Sequence, residues 1–127
     1  MANKKLDKQT EELLFSEQEL NLLNYHRDNL ENNNYVLKDG MLTTVYIRGI
    51  TGPDNKIYNI PGYFDNREDF EDISEDELYD IAEEKGWFDI YPSYSTGKKA
   101  DKAAQNLHKI IEEDGKKFME ALNENYW

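Results

Sequence analysis

The amino-acid sequence predicts a small α+β domain, in which a small antiparallel β-sheet is covered by two or three α-helices and preceded by an N-terminal helix. Three observations predict this class. Two helix starts share one capping signature, a β-branched and aromatic stretch is interrupted by turn formers, and an alanine-rich stretch carries apolar residues at helical spacing. The 127 residues fit one domain of ordinary size.

Two serines predict helix starts. Ser16 and Ser74 are each followed three residues later by a glutamate, Glu19 and Glu77 respectively. In such a pair the serine oxygen accepts a hydrogen bond from an N–H group of the first turn, and the glutamate accepts one from the serine N–H. Apolar residues flank both pairs, which predicts a hydrophobic staple at each helix start.

The first predicted helix spans about residues 17–30. Three consecutive asparagines, residues 32–34, end it, because asparagine favours turns over helix interiors. Residues 1–14 are predicted to form a polar arm or a short extra turn. The helix either docks on the sheet or reaches a neighbouring protein. Its apolar side is predicted to carry Leu20, Leu23 and Leu30, with Tyr25 or His26 at the edge.

A β-hairpin near residues 43–61 forms the predicted sheet. Its arms are the β-branched and aromatic runs 42–47 and 56–60, and the residues between them are dense in turn formers. Pro61 ends the pairing, because proline lacks the N–H donor that a strand pair needs. Residues 35–37 are predicted to add a strand before a turn. Helices must cover one face of so small a sheet.

The second predicted helix spans residues 75–85. Gly86 follows it in the position where a left-handed C-cap is natural. The aromatic run at 87–92 is predicted to pack back over the edge of the sheet.

The alanine-rich stretch predicts a third helix over residues 97–114. Ser95 or Thr96 caps it and Gly115 closes it, before a short last helix from 116 to about 122. The predicted units are an N-terminal arm and helix (1–40), an α+β core (41–115) and a C-terminal short helix and tail (116–127).

Charge is distributed unevenly along an acidic chain. The net charge is −12 and the isoelectric point is near 4.5, which disfavours contact with nucleic-acid backbones and anionic membranes. From Asp65 to Asp89 twelve acids face only two bases, Arg67 and Lys85. This acidic run is either a solvated surface, partly neutralised by the lysines of the next helix, or a patch that binds a basic partner. The predicted patch comprises Asp65, Glu68, Asp69, Glu71, Asp72, Asp76, Asp80, Glu83 and Glu84.

The sequence gives little support for a catalytic site, a metal site or a cofactor site. Without cysteine there is no thiol nucleophile and no zinc–thiolate site. The two histidines, His26 and His108, lie in predicted helices away from any serine motif. The run that begins at Asp65 fails as an EF-hand, because Arg67 and Phe70 stand where a ligand and a glycine belong. We expect no cofactor and no resident metal, and an enzyme is the weakest hypothesis.

The start of the chain does not resemble a secretory signal. Met1–Leu6 is charged and no apolar segment follows it. No stretch of the sequence approaches the length of a membrane span. The expected location is a virion or the cytoplasm of an infected bacterial host.

The order of motifs between residues 43 and 112 resembles a small module of tailed-phage virion-associated proteins, of the tail or ejection type. The motifs are Thr44-Val45-Tyr46-Ile47, Lys56-Ile57-Tyr58-Asn59-Ile60-Pro61, Ile73-Ser74-Glu75-Asp76-Glu77-Leu78, and Tyr91-Pro92-Ser93-Tyr94-Ser95-Thr96 before an alanine-rich helix. The chain departs from that pattern at Leu78, where alanine is usual, and at Lys98 and Lys99, where acids are common. The resemblance implies a phage origin and a structural or assembly role.

The sequence therefore predicts a non-enzymatic phage protein that binds other virion proteins and, through virion symmetry, forms homo-oligomers. The alternative is an acidic inhibitor that mimics nucleic acid and blocks a host enzyme. The predicted contact residues are Leu20, Leu23, Tyr25, Trp87, Phe88, Tyr91, Tyr126 and Trp127.

Overall fold

Three α-helices, five short strands and two short 3-10 helices (Phe70–Asp72 and Trp87–Asp89) lie in the part of the chain that the structure describes. The structure, a computed structural model, describes residues 14–38 and 40–126, without the side chains of residue 38 and residues 123–126. It confirms the predicted α+β class. The elements are α1 (Glu17–Glu31), β1 (Val36–Lys38), β2 (Met41–Thr43), β3 (Ile47–Thr51), β4 (Ile57–Pro61), α2 (Glu75–Lys85), β5 (Ser93–Tyr94) and α3 (Gly97–Tyr126).

The two predicted serine caps form, one of them completely. Ser16 Oγ accepts from the Glu19 N–H at 3.1 Å, and the Ser16 N–H donates to Glu19 Oε1 at 2.9 Å, which completes the capping box of α1. Ser74 Oγ accepts from the Glu77 N–H at 3.1 Å. The Glu77 carboxylate turns instead to Arg67, whose Nη1 lies 3.3 Å from Glu77 Oε2. Only one of the two predicted hydrogen bonds of the capping box therefore forms at the start of α2.

Helix α1 docks on the core, which decides between the two predicted roles for it. Its fully buried residues are Leu22, Leu23 and His26, and His26 lies one turn after the two leucines on the same face. The buried face of α1 differs from the predicted one, because Leu20 and Leu30 of the predicted face are only half-buried. Leu22 and Leu23 of α1 share one core with residues of β3 and β4.

The strands form two separate antiparallel sheets. In the larger sheet β4 lies between β3 and β5, and β3 and β4 make the predicted hairpin, with Ile50 opposite Tyr58. In the smaller sheet β1 pairs with β2. The predicted strand over 42–47 is therefore wrong as one element, because β2 ends at Thr43 and β3 begins at Ile47.

The interruption between β2 and β3 has a local cause. Thr44 is held by α1, since its hydroxyl lies 2.6 Å from His26 Nδ1 and its carbonyl accepts from Asn29 Nδ2 at 2.7 Å. Tyr46 adopts a left-handed conformation with φ 47°, which an aromatic residue rarely does. The Tyr46 carbonyl accepts from the Gly62 N–H at 2.9 Å. These contacts bend the chain out of the strand.

The core is largely aromatic, and its rings meet edge to face. Trp87 packs against Phe64 with ring centroids 5.4 Å apart, and Tyr58 packs against Phe88 at 4.9 Å. This geometry suits the opposite charges of ring edge and ring face. Within the run at 87–92, Trp87, Tyr91 and Pro92 are buried, whereas Asp89 and Ile90 are exposed.

Helix α3 is one continuous helix of 30 residues, so the predicted stop at Gly115 and the separate helix beyond it are wrong. Thr96 caps its start, with Oγ1 3.2 Å from the Lys99 N–H. The apolar stripe continues past Gly115, because Phe118 packs edge to face on Tyr35 at 5.4 Å. Tertiary contacts with the small sheet therefore outweigh the low helix propensity of one glycine.

Gly115, within α3, and Gly86, at the end of α2, predict opposite effects of alanine. At Gly115 an added Cβ lies 3.6 Å from Leu42 Cδ2, an ordinary contact, so Gly115→Ala should stabilise the protein by about 0.5–1 kcal/mol. At Gly86, where φ is +72°, Gly86→Ala should destabilise it by about 1 kcal/mol. Urea unfolding measures both values. A destabilising Gly115→Ala would mean that α3 breaks there.

Candidate functional site

Most of the predicted aromatic and leucine contact residues do not form an exposed surface. Leu23, Trp87 and Tyr91 lie in the core, at 0%, 6% and 8% exposure, so they are not the exposed residues that the predicted contact surface requires. Their rings and methyl groups fill the space between the helices and the larger sheet. Leu20, Tyr25 and Phe88 are half-buried. The side chain of Tyr126 and all of Trp127 lie outside the described residues.

The acidic belt, defined as the acids between residues 65 and 84, is exposed along its whole length. Eleven acids and two bases lie between residues 65 and 85, a net charge of −9 within a chain of −12. The exposed members include all nine residues of the predicted patch: Asp65, Glu68, Asp69, Glu71, Asp72, Asp76, Asp80, Glu83 and Glu84.

The two bases of this segment are engaged within it. Arg67 pairs with Asp69 at 2.7 Å and with Glu77, and its guanidinium lies 5.7 Å from the ring centre of Phe64. The Arg67 hydrogen bond lowers the pKa of Asp69. Lys85 pairs with Asp65 at 3.3 Å. Each base neutralises its own neighbours, and the belt keeps its large negative excess.

A buried polar network joins α1, the bend after β2, and α3. His26 Nδ1 lies 2.6 Å from Thr44 Oγ1, and His26 Nε2 lies 3.2 Å from Asp114 Oδ2. Arg27 Nε also donates to Asp114, at 3.2 Å. Hydroxyl, imidazole and carboxylate are the groups of a nucleophilic triad, but Thr44 is 3% and His26 1% exposed. A substrate does not reach them, so the network stabilises the fold.

A cavity of about 360 Å³, here called the tyrosine pocket, opens between the start of α1 and the segment around β5. Glu19 forms part of its wall and accepts a hydrogen bond from Tyr94 Oη at 2.5 Å. Burial and the Glu19 carboxylate raise the pKa of Tyr94, so this hydroxyl stays protonated. The rings and acids that line the tyrosine pocket are Tyr58, Phe88, Tyr91, Tyr94, Glu19 and Asp89.

A second groove, of about 590 Å³, lies on the other side of the Tyr94–Glu19 hydrogen bond. Its lining is mostly apolar, from Leu14, Phe15 and Ala103 among others. Three lysines near the start of α3 also line it: Lys98, Lys99 and Lys102.

The described residues contain no group of three or more histidine and acidic side chains placed to hold a metal ion. Within residues 14–38 and 40–126, no helix combines the length and the apolar character needed to span a membrane. The chain matches no protein-family model, no curated protein and no solved structure. The resemblance to the phage module stays a prediction.

Sequence reasoning missed both the buried network and the tyrosine pocket. His26 lies on the same helical face as Leu22 and Leu23, and that spacing could have placed it in the core. The signal for the tyrosine pocket is weaker, because Glu19 and Tyr94 lie 75 residues apart.

The buried network predicts a pH-dependent contribution to stability. Burial opposes ionisation of Asp114 most strongly, but the hydrogen bond from His26 and the charge of Arg27 bring its pKa below the ordinary 3.8. A carboxyl whose pKa is lowered by folding stabilises the protein above its unfolded pKa, and this contribution is lost as pH falls through the folded pKa. Asp114→Asn should therefore cost roughly 1–3 kcal/mol at pH 7.

Urea unfolding as a function of pH measures this difference. The gap between wild type and Asp114→Asn should narrow as pH falls below 3.8. Asp101→Asn, an exposed change on the same helix, should behave as wild type. A gap that is absent at pH 7 would contradict the role given to Asp114.

Proposed function

We propose that this chain is a non-enzymatic phage protein that binds other virion proteins, and that it does so by docking its acidic belt on a basic surface of the partner. The observation that supports the mode of binding is the exposed net charge of −9 between residues 65 and 85. A surface of one sign attracts an oppositely charged surface over a distance, and it raises the rate of encounter.

The burial of the predicted aromatic contacts strengthens the case for the belt. Trp87 and Tyr91 stabilise the core and are not exposed to a partner. The exposed carboxylates on α2 and the loop before it, by contrast, are accessible to a partner. The phage origin and the assembly role rest on the resemblance of residues 43–112 alone.

A second candidate function uses the same belt. Eleven carboxylates within 21 residues make a dense row of negative charge, as a nucleic-acid backbone does. Such a row favours an inhibitor that occupies the nucleic-acid site of a host enzyme. The two candidates differ in the partner, a virion protein or a nucleic-acid enzyme.

We predict that neutralising one part of the belt weakens partner binding without unfolding the protein. Asp80, Glu83 and Glu84 are exposed in the last turns of α2, where acids oppose the helix dipole. The triple variant Asp80→Asn, Glu83→Gln, Glu84→Gln should keep or raise the melting temperature. Its recovery of the partners that wild type captures from phage-infected cells, measured by quantitative mass spectrometry, should fall roughly tenfold or more.

A matched control removes three exposed acids elsewhere. Glu31→Gln, Glu112→Gln and Glu120→Gln give the same change in net charge outside the belt. This control should capture the same partners as wild type. Equal capture by all three proteins would reject the belt as the binding surface.

Competition with duplex DNA separates the two candidate functions. Salt weakens binding through the belt in either case, because both partners would be basic. For a virion partner, saturating duplex DNA at constant ionic strength should leave most of the captured partner bound. Displacement of the partner by DNA, together with its identification as a nucleic-acid enzyme, would favour the mimic and contradict the leading proposal.

A further inference from the structure

The tyrosine pocket combines rings and carboxylates in a way that favours one class of ligand. Two acids, Glu19 and Asp89, line it beside the rings of Tyr58, Phe88, Tyr91 and Tyr94, and among the described residues that line it none is basic. Aromatic rings attract a cation through the negative charge of their faces, and carboxylates attract it directly. A cation that enters this pocket meets both.

Glu19 is held in place before any ligand arrives. Its Oε1 accepts from the Ser16 N–H at 2.9 Å, and its Oε2 accepts from Tyr94 Oη at 2.5 Å. Each carboxylate oxygen can accept a further hydrogen bond. No described base forms an ion pair with Glu19 within 4.0 Å. A carboxylate that is fixed in place, and that has no ion pair among the described residues, lowers the entropic cost of binding a cation.

The tyrosines of the pocket add no charge of their own. Burial raises the pKa of Tyr91 to about 12, and it also raises the pKa of Tyr58, whose hydroxyl donates to Asp54 Oδ2 at 3.0 Å. The hydroxyls stay protonated at neutral pH, so the charge of the wall comes from its carboxylates. The Tyr58 hydrogen bond also connects the wall to a third carboxylate, that of Asp54.

We propose that the tyrosine pocket binds a single cationic side chain, arginine or lysine, of the protein that docks on the acidic belt. A cavity of about 360 Å³ is near the lower end of ligand-sized pockets and suits one long side chain. The pocket lies beside α2, which carries much of the belt, because Phe88 packs on Tyr58 at 4.9 Å and on Tyr79 of α2 at 5.2 Å.

The two surfaces divide the work of recognition. The belt attracts a basic surface without regard to its detail, whereas the pocket recognises one residue at one place. This inference rests on the proposed function, because it assigns the anchor residue of the same partner. The inference requires that the partner carries an exposed arginine or lysine next to its basic patch.

Short peptides test the pocket without the partner. Acetyl-Gly-Arg-Gly-amide and its lysine counterpart are titrated into the isotopically labelled full-length protein, with citrulline and norleucine peptides as neutral counterparts, and backbone amide shifts are recorded by NMR. At least one cationic peptide should give saturable shifts at residues 16–19 and 88–94. The neutral peptides should not.

Two variants and one control identify the carboxylates that bind the cationic peptide. Asp89→Asn and Glu19→Gln should each weaken binding of the cationic peptide about tenfold, since each removes a charge-assisted contact. Glutamine at position 19 can still serve a capping box, and Asp89→Asn tests the pocket without touching that cap. Glu112→Gln removes one exposed charge outside both the belt and the pocket and should leave the peptide affinity unchanged.

Three outcomes would overturn the inference: shifts centred elsewhere, equal shifts with the neutral peptides, or wild-type affinity in both pocket variants. If the peptide does not bind in the tyrosine pocket but partner capture still depends on Asp80, Glu83 and Glu84, the proposed function stands. Conversely, if the pocket binds the peptide and capture does not depend on the belt, the proposed function fails and the cation site remains.

Discussion

A single buried histidine holds three parts of this fold together. The His26 imidazole joins α1 to Thr44 on one side and to Asp114 of α3 on the other, 88 residues along the chain. A buried polar side chain is costly unless its hydrogen bonds are satisfied, so both partners must be in position. The bend after β2, the docking of α1 and the register of α3 follow from that requirement.

The core around this network is built from rings rather than from aliphatic side chains alone. Edge-to-face pairs such as Phe64–Trp87 and Tyr58–Phe88 fill it, and the tyrosine hydroxyls at its margin find acceptors. One result is that Tyr25, whose hydroxyl donates to the Tyr63 carbonyl at 2.6 Å, stabilises the interior as well as lining its margin. Another is a pocket whose aromatic wall is an extension of the core.

The distribution of charge separates stability from recognition. The polar network joins α1, α3 and the bend after β2. The acids collect on the exposed side of α2 and of the loop before it, while Leu78 and Ala82 of α2 face the core. Exposed acids contribute little to stability and repel one another, so their concentration in one segment is a cost that binding a basic partner would offset. The tyrosine pocket lies where the two regions meet.

Local chemistry in the sequence determined the parts of the structure that depend on neighbouring residues. The caps at Ser16 and Ser74, the left-handed end of α2 at Gly86 and the β3–β4 hairpin are confirmed, because each depends on contacts within a few residues or on one turn. The exposure of the acidic belt was predictable in the same way, since so many charges in one run cannot be buried.

Tertiary structure alone decided the rest. The strand predicted over 42–47 breaks because Thr44 is hydrogen-bonded to a helix that precedes it. Helix α3 continues through Gly115 because Tyr35 and Leu42 give its second half a surface to pack on. The sequence around Trp87 and Tyr91 does not indicate whether their rings are buried or exposed. The tyrosine pocket exists only once Glu19 and Tyr94, 75 residues apart, meet across the fold. Local propensities are weaker than the packing and buried hydrogen bonds that override them at these positions.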